Sequence, residues 1–118
     1  MERDKISLCR RKTGGGAVYQ DLGNSCFSFL TPVPLANLPL ESKSTNNDII
    51  LKSLTNLNIT SELSGRNDIV CQGKKISGSA YKVNLGDKEG RRRKFLHHGT
   101  MLINVNSSDI MQYLNPNK

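Results

Sequence analysis

The chain has 118 residues, enough for one domain with a real core, but only 36% are hydrophobic, 5% are aromatic and none is tryptophan, with mean hydropathy at −0.47. Seventeen Lys and Arg against ten Asp and Glu leave a net charge of +7, which favours a polyanion, a phosphate-bearing ligand or an acidic protein partner. Cys9, Cys26 and Cys71 stand far apart without C-x-x-C spacing, which argues against a disulfide framework or a zinc site, and no apolar run approaches the roughly 18 residues of a membrane-spanning helix.

Residues Ile6 to Arg10 alternate weakly and read as a short strand leading into Arg10-Arg11-Lys12-Thr13-Gly14-Gly15-Gly16. Three consecutive glycines allow main-chain N–H groups to approach a ligand closely. With arginine forks at its mouth the loop suits a phosphate or carboxylate, although a glycine-rich hairpin with a solvated basic flank accounts for the same residues. The P-loop pattern and the spaced G-x-G-x-x-G are both absent. Val18 and Tyr19 begin an extended run, Gln20 to Asn24 is a polar turn, and Ser25 to Leu30 alternates as a strand with Phe27 and Phe29 on one face. Thr31 to Ser44 contains Pro32, Pro34 and Pro39 and reads as an extended loop. Thr45 or Asn46 then caps a helix with Ile50, Leu54 and Leu57 on one stripe.

Ile59, Ser61 and Leu63 alternate as a strand before the turn Ser64 to Asp68. Ile69-Val70-Cys71, Gln72-Gly73 and Lys74 to Tyr81 follow as a hairpin with a two-residue turn. Its second arm carries Ser77, Gly78, Ser79 and Ala80, small residues that let a ligand or another backbone come close. Arg91-Arg92-Arg93-Lys94 reads first as a solvated loop, then as a docking surface for an acidic partner, and last as an RNA contact, since Phe95 alone is near as a stacking platform. Phe95 to Val105 reads as a buried strand, and Ser107 caps a final short helix through Leu114 that Asn115-Pro116 terminates.

Among the polar residues Lys75 is the strongest candidate for chemistry. Flanked by small strand residues, its ammonium would be partly desolvated and aimed as a point charge, whereas an ordinary strand lysine points to water. His97 and His98 are adjacent in a strand and so face opposite ways, one toward a site and the other packed or solvated. Asn24 and Asp68 fit turn formers and ligand contacts equally well. No Ser-His-Asp set or carboxylate pair has recognisable spacing.

Read together, Arg10-Arg11-x-Thr13-Gly14-Gly15-Gly16-Ala17-Val18-Tyr19-x-Asp21-Leu22-Gly23-Asn24, Gly65-Arg66-Asn67-Asp68, Lys75-Ile76-Ser77-Gly78-Ser79-Ala80 and His97-His98-Gly99-Thr100-Met101-Leu102 closely resemble the lipoate-protein ligase and lipoyltransferase family, with Tyr113-Leu114-Asn115-Pro116 closing the match. The resemblance runs from Met1 to the C-terminus and departs mainly at Asn84 to Lys94 and in the proline-rich loop. It implies an α/β (α+β) domain, a mixed, mainly antiparallel sheet with a few packed helices, similar to biotin ligases and class II synthetase cores. It also implies that residues 1–118 are part of one catalytic domain, a fragment lacking N-terminal strands and any C-terminal accessory domain.

The activity so implied is ATP-dependent formation of lipoyl-AMP, with Mg2+, ATP and lipoate, followed by transfer of the lipoyl group to a lysine on an acceptor domain of a 2-oxoacid dehydrogenase or on the glycine cleavage H protein. Some members perform only the second half. By resemblance Lys75 bridges the acyl carbonyl and the phosphate as the catalytic residue. Arg11, Gly16, Ala17, Val18, Tyr19, Asn67 and Asp68 join it on the ATP and adenylate side. Arg10, Gly14, Gly15, Gly78 and His98 join it on the lipoyl side, and no protein metal site is expected. Neither nucleic acid nor membrane is expected as a partner, and the compartment would be mitochondrial in a eukaryote and cytoplasmic in a bacterium. The alternatives are an octanoyltransferase of the same fold working through a cysteine, with Cys71 the residue to test, and a non-catalytic basic binding module or inactive fragment.

Overall fold

A computed structural model describes residues 5–34, 37, 39–89 and 91–114. The elements are β1 (Asn24–Pro32), α1 (Pro39–Asn56), β2 (Glu62–Ser64), β3 (Asp68–Cys71), β4 (Lys74–Asn84), β5 (Lys94–Leu102) and α2 (Ser107–Tyr113). The five strands form one antiparallel sheet in the order β1-β5-β4-β3-β2. β4 and β5 are the long central pair, in register from Ser77↔Met101 to Asn84↔Lys94.

Strand alternation divides the sheet into two faces. On one face Phe27 and Phe29 of β1 and Phe95, His97 and Met101 of β5 lie beneath α1, whose Ile50 and Leu54 are buried with Ile69 of β3 in the core. Phe95 is fully buried and stacks on Tyr81 with ring centres 5.7 Å apart. On the other face Gly78 and Ala80 of β4 lie beside Leu96, His98, Thr100 and Leu102 of β5, and the candidate site is built there.

α1 begins seven residues before Asn46 because Pro39 opens it. A proline is well placed at a helix start, where its missing N–H costs nothing and its φ is already helical. Asn46 is therefore a buried residue inside the helix rather than its cap. At the other end Asn58 takes φ +60°, and Ile59 N and Asn58 N donate to Leu54 O and Thr55 O. Those two bonds form a Schellman closure, which ends the apolar stripe at Leu54 and leaves Leu57 exposed. The β3–β4 hairpin forms as expected, with Gln72 and Gly73 both at positive φ as a type I′ turn demands. Ile6 to Arg10 and Val18–Tyr19 make no strand, and the strand expected from Ile59 is confined to Glu62–Ser64. Asn106 rather than Ser107 caps α2, its Oδ1 accepting from Ser108 N at 3.1 Å. The expected helix stop at Asn115-Pro116 lies outside the described residues.

The arginine run is a loop, as its first reading held, and much of its charge is locally balanced. Arg91 pairs with Asp87 and Glu89, and Arg92 with Asp87. Gly86 is required at this bend: its φ is +82°, and a Cβ there would lie 1.9 Å from Arg91 O.

Candidate functional site

β4 would not present Lys75 to the cavity face if it alternated strictly, because Lys75 would then share the helix-facing side with Ser77. A β-bulge intervenes. Ile69 pairs with Ser77 but Val70 pairs with Lys75, so Ile76 is the extra residue. Ile76 packs into the core, and Lys75 emerges on the opposite face. There the lysine lies across Gly78, where a Cβ would meet Lys75 Cε and Nζ at 3.0 Å. Glycine is thus needed at this position for close approach, not for its backbone angle.

Lys75 Nζ forms an ion pair with Asp68 Oδ1 at 2.9 Å, and the two side chains are 53% and 40% exposed. The desolvation expected for this ammonium is therefore slight, and the aiming comes from an ion pair instead. The bulge lifts Lys75 to the rim of the cavity, where Asp68 rather than desolvation fixes its charge in place.

The glycine loop faces this lysine across the same cavity. Arg11 Nε donates to Gly14 O at 3.1 Å and Arg11 Nη2 to Gly16 O at 2.8 Å, so one guanidinium spans the loop. Gly15 takes φ +108°, and a Cβ on it would crowd Arg11 Nη2 at 3.0 Å and Ala80 Cβ at 3.1 Å. Thr13 Oγ1 lies 2.8 Å from His98 Nε2, tying the loop to β5. His98 is held below the ordinary histidine pKa by burial and then by the Arg11 charge, so it is neutral near pH 7. Tyr19 stacks on Tyr113 of α2 with ring centres 5.5 Å apart and bonds to Asp109. Burial, followed by the charges of Asp109 and Asp21, raises its pKa and keeps the phenol protonated.

These pieces enclose a cavity of about 720 Å3. Of the residues singled out in the sequence, it brings together Arg11, Gly15, Gly16, Ala17, Val18, Tyr19, Asp68, Lys75, Gly78 and His98. Arg10, Gly14 and Asn67 stand outside the lining. Gly14 O is bound to Arg11, and Asn67 is bound to Lys43 and Ser79. Asn24, which fitted both a turn former and a ligand contact, is in the lining, and its side-chain nitrogen and oxygen are buried with no hydrogen-bond partner among the described residues.

Sequence reasoning missed the apolar wall made by Ile110 of α2 and Leu114 just past its end, and missed Thr13 as a contact to His98. The period of a seven-residue helix says little about its partner, and a threonine before glycines reads as part of the loop. Cys26 also lines the cavity and donates to Gln20 Oε1 at 2.8 Å, whereas Cys71 does not line it.

His97, the neighbour of His98, faces the core and is fully buried. Its Nε2 lies 2.9 Å from Ser79 Oγ, and that hydroxyl donates to Asn67 O at 3.1 Å. With the serine proton committed to Asn67, His97 carries its own proton on Nε2 and donates it to Ser79. Burial, then Lys43, then His98 lower its pKa, so this ring too is neutral.

Among the described residues no group of three His, Cys, Asp or Glu is placed to hold a metal ion, and no helix is long and apolar enough to cross a membrane.

Residues 1–118 match the family model of the lipoyl protein ligase A/B catalytic domain. Among solved structures the chain is similar to LipL1 of P. falciparum in complex with lipoate, at 44% identity and a TM-score of 0.74 over 97% of this chain and 29% of that one. It is similar to a bipartite lipoate protein ligase of Thermoplasma acidophilum, described with its E2 lipoyl domain, at 31% identity and a TM-score of 0.78 over 93% of this chain and 41% of that one. It is also similar to a lipoate-protein ligase A bound with ATP, at 30% identity and a TM-score of 0.78 over 95% of this chain and 46% of that one. The chain thus spans less than half the length of each.

Proposed function

The chain belongs to the lipoyl protein ligase A/B catalytic-domain family, and from that premise we infer that it forms or uses lipoyl-AMP and passes the lipoyl group to a lysine of an acceptor domain. The observation that carries this reading is the convergence of the Arg11-spanned glycine loop, Lys75 and an apolar wall on one cavity. Its volume of about 720 Å3 lies in the range for small-molecule sites. Its lining combines cations for carboxylate and phosphate oxygens with Leu96, Leu102, Ile110 and Leu114 for an aliphatic tail.

In the first step a carboxylate oxygen of lipoate bonds to the α-phosphorus of ATP while the bond to pyrophosphate breaks. The charge that builds on the phosphoryl oxygens needs a fixed counter-charge in the site. Lys75 supplies it, steered by its ion pair with Asp68, and Arg11 stiffens the loop opposite. In the second step the amine of the acceptor lysine bonds to the acyl carbon, the carbon–oxygen bond of the mixed anhydride breaks, AMP leaves with the electron pair, and the amine gives up a proton. Until then the anhydride must be kept from water, a task suited to the apolar wall and the α2 side chains above it. Mg2+ would arrive with the nucleotide and offset its phosphate charge, and Asp68, the one carboxylate in the described lining and already paired with Lys75, would be the side chain nearest to hand to hold it.

A lipoyl domain of a 2-oxoacid dehydrogenase is the acceptor this reading favours, because the T. acidophilum relative is described with its E2 lipoyl domain; the glycine cleavage H protein is the second acceptor to test. Cys71 stands at the hairpin end outside the lining, which disfavours acyl transfer through its thiol.

The test is incubation with lipoate, Mg-ATP and a lipoyl acceptor domain, followed by mass spectrometry of the acceptor. Lipoyl-AMP given in place of lipoate and ATP separates the two steps. The native protein adds a lipoyl group under at least one of the two conditions. Lys75→Ala lowers the rate by roughly 100-fold or more, the usual loss when an aimed charge is removed from a transition state. An acceptor left unmodified under both conditions, or a variant as fast as the native chain, refutes the reading.

A further inference from the structure

We propose that Lys43, on the helix packed against the face opposite the cavity, is a positioning residue for the site: it immobilises the turn at Arg66–Asn67 and thereby fixes Asp68 and the Lys75 ammonium. The inference rests on the reading of the cavity as a lipoyl-adenylate site for the identity of the ligand, and on geometry of its own for the coupling. Lys43 Nζ donates to Arg66 O at 2.6 Å and to Asn67 Oδ1 at 3.0 Å, and it lies 5.4 Å from the centre of the Tyr81 ring. One ammonium therefore bridges two consecutive residues of one turn while an aromatic face stabilises its charge.

The turn is also held from the sheet side. Asn67 O accepts from Ser79 N at 3.0 Å and from Ser79 Oγ at 3.1 Å, with buried His97 behind that hydroxyl. Asn67 is thus clamped between helix and sheet, and the next residue is Asp68, the ion-pair partner of Lys75. Gly65 and Arg66 are exposed, so the turn has little packing of its own to fix it. A surface lysine commonly gains little by such bonds because water offers the same. Here the bonds restrict the residue that precedes a cavity carboxylate, and a small misplacement of an aimed charge is costly.

The test measures binding of a non-hydrolysable sulfamoyl analogue of lipoyl adenylate to the full chain by titration calorimetry, with thermal melts alongside. A purely structural role for Lys43 lowers the melting temperature and the fraction of competent protein, hence the apparent stoichiometry, but leaves the Kd of the folded fraction unchanged. A positioning role raises that Kd. Lys43→Met, which keeps the length and loses the donors, is expected to weaken binding on the order of tenfold. Lys43→Arg, which can still donate to both oxygens and lie over Tyr81, restores most of it. Asn67→Ala weakens binding by a similar factor, and the double variant is no worse than the worse single one, since both break the same clamp. Lys52→Met removes an equal charge from an exposed position of the same helix and leaves Kd unchanged, which separates positioning from long-range field. An unaltered Kd for Lys43→Met, or an equal loss for Lys52→Met, overturns the inference and leaves the reading of the cavity standing. Absence of binding by the native chain overturns both.

Discussion

Gly15 and Gly78 serve the site for different physical reasons, and substitutions at the two separate those reasons. Gly15 is at φ +108° and is also crowded by Arg11 and Ala80, so any side chain there meets both backbone strain and contact. Gly15→Ala is expected to cost about 1–3 kcal/mol. Because the loop has no strand partners, that cost should fall on the loop itself. Affinity for the adenylate analogue then drops by roughly tenfold or more while the melt of the sheet barely moves. A melt lowered in full with affinity intact would mean that the loop is part of the cooperative core. Gly78 has no positive φ, and its added Cβ would meet the flexible end of Lys75 rather than backbone. Gly78→Ala should therefore fold normally and displace the ammonium, lowering the rate of adenylate formation more than it alters stability.

Among the elements, α1 and the bulged β4 show how much was legible in the amino-acid order and why the rest was not. Phe27 and Phe29, the Ile69–Tyr81 hairpin and the opposed His97 and His98 were readable because period-two alternation records which side of a sheet a residue meets. The bulge at Ile76 leaves no such record. Strict alternation would turn Lys75 into the core, and only the pairing shift between Ile69 and Val70 brings it onto the cavity. The stretch before Gly14 alternates weakly but finds no partner strand in the sheet, so its pattern promised an element that pairing does not supply. The proline-rich loop was overestimated for the opposite reason, since Pro39 breaks a helix interior but starts a helix well. α1 is attached through few buried residues, Ile50 and Leu54 chief among them. Leu54→Ala should accordingly destabilise the chain by about 2–5 kcal/mol, read as a lower urea midpoint with the helical signal lost in the same transition. Because α1 also carries Lys43, a partial detachment of the helix should weaken ligand binding before the sheet unfolds.

At the scale of the whole molecule, β5 carries two neutral histidines back to back, one in the core and one in the cavity, and acid acts on both in the same direction. His97 faces the Lys43 charge and His98, and His98 faces Arg11, so in each case burial and neighbouring cations depress the folded-state pKa below the ordinary value of about 6.5. Above that pH both rings are neutral in the folded and unfolded chains and contribute no pH dependence. As the pH falls below about 6.5 the unfolded chain takes up protons that the folded chain refuses, and stability is lost until the folded-state pKa values are reached. The loss approaches about 1.4 kcal/mol per pH unit for each histidine that stays neutral in the fold. The expected melt changes little above pH 7 and declines as the pH falls below about 6.5. His97→Gln keeps a donor for Ser79 Oγ but cannot titrate, so its melting temperature should start lower and fall less steeply, leaving the His98 share of the slope. An identical slope in that variant would assign the acid sensitivity to groups other than His97, and a rise in stability on acidification would contradict the neutral state of both rings.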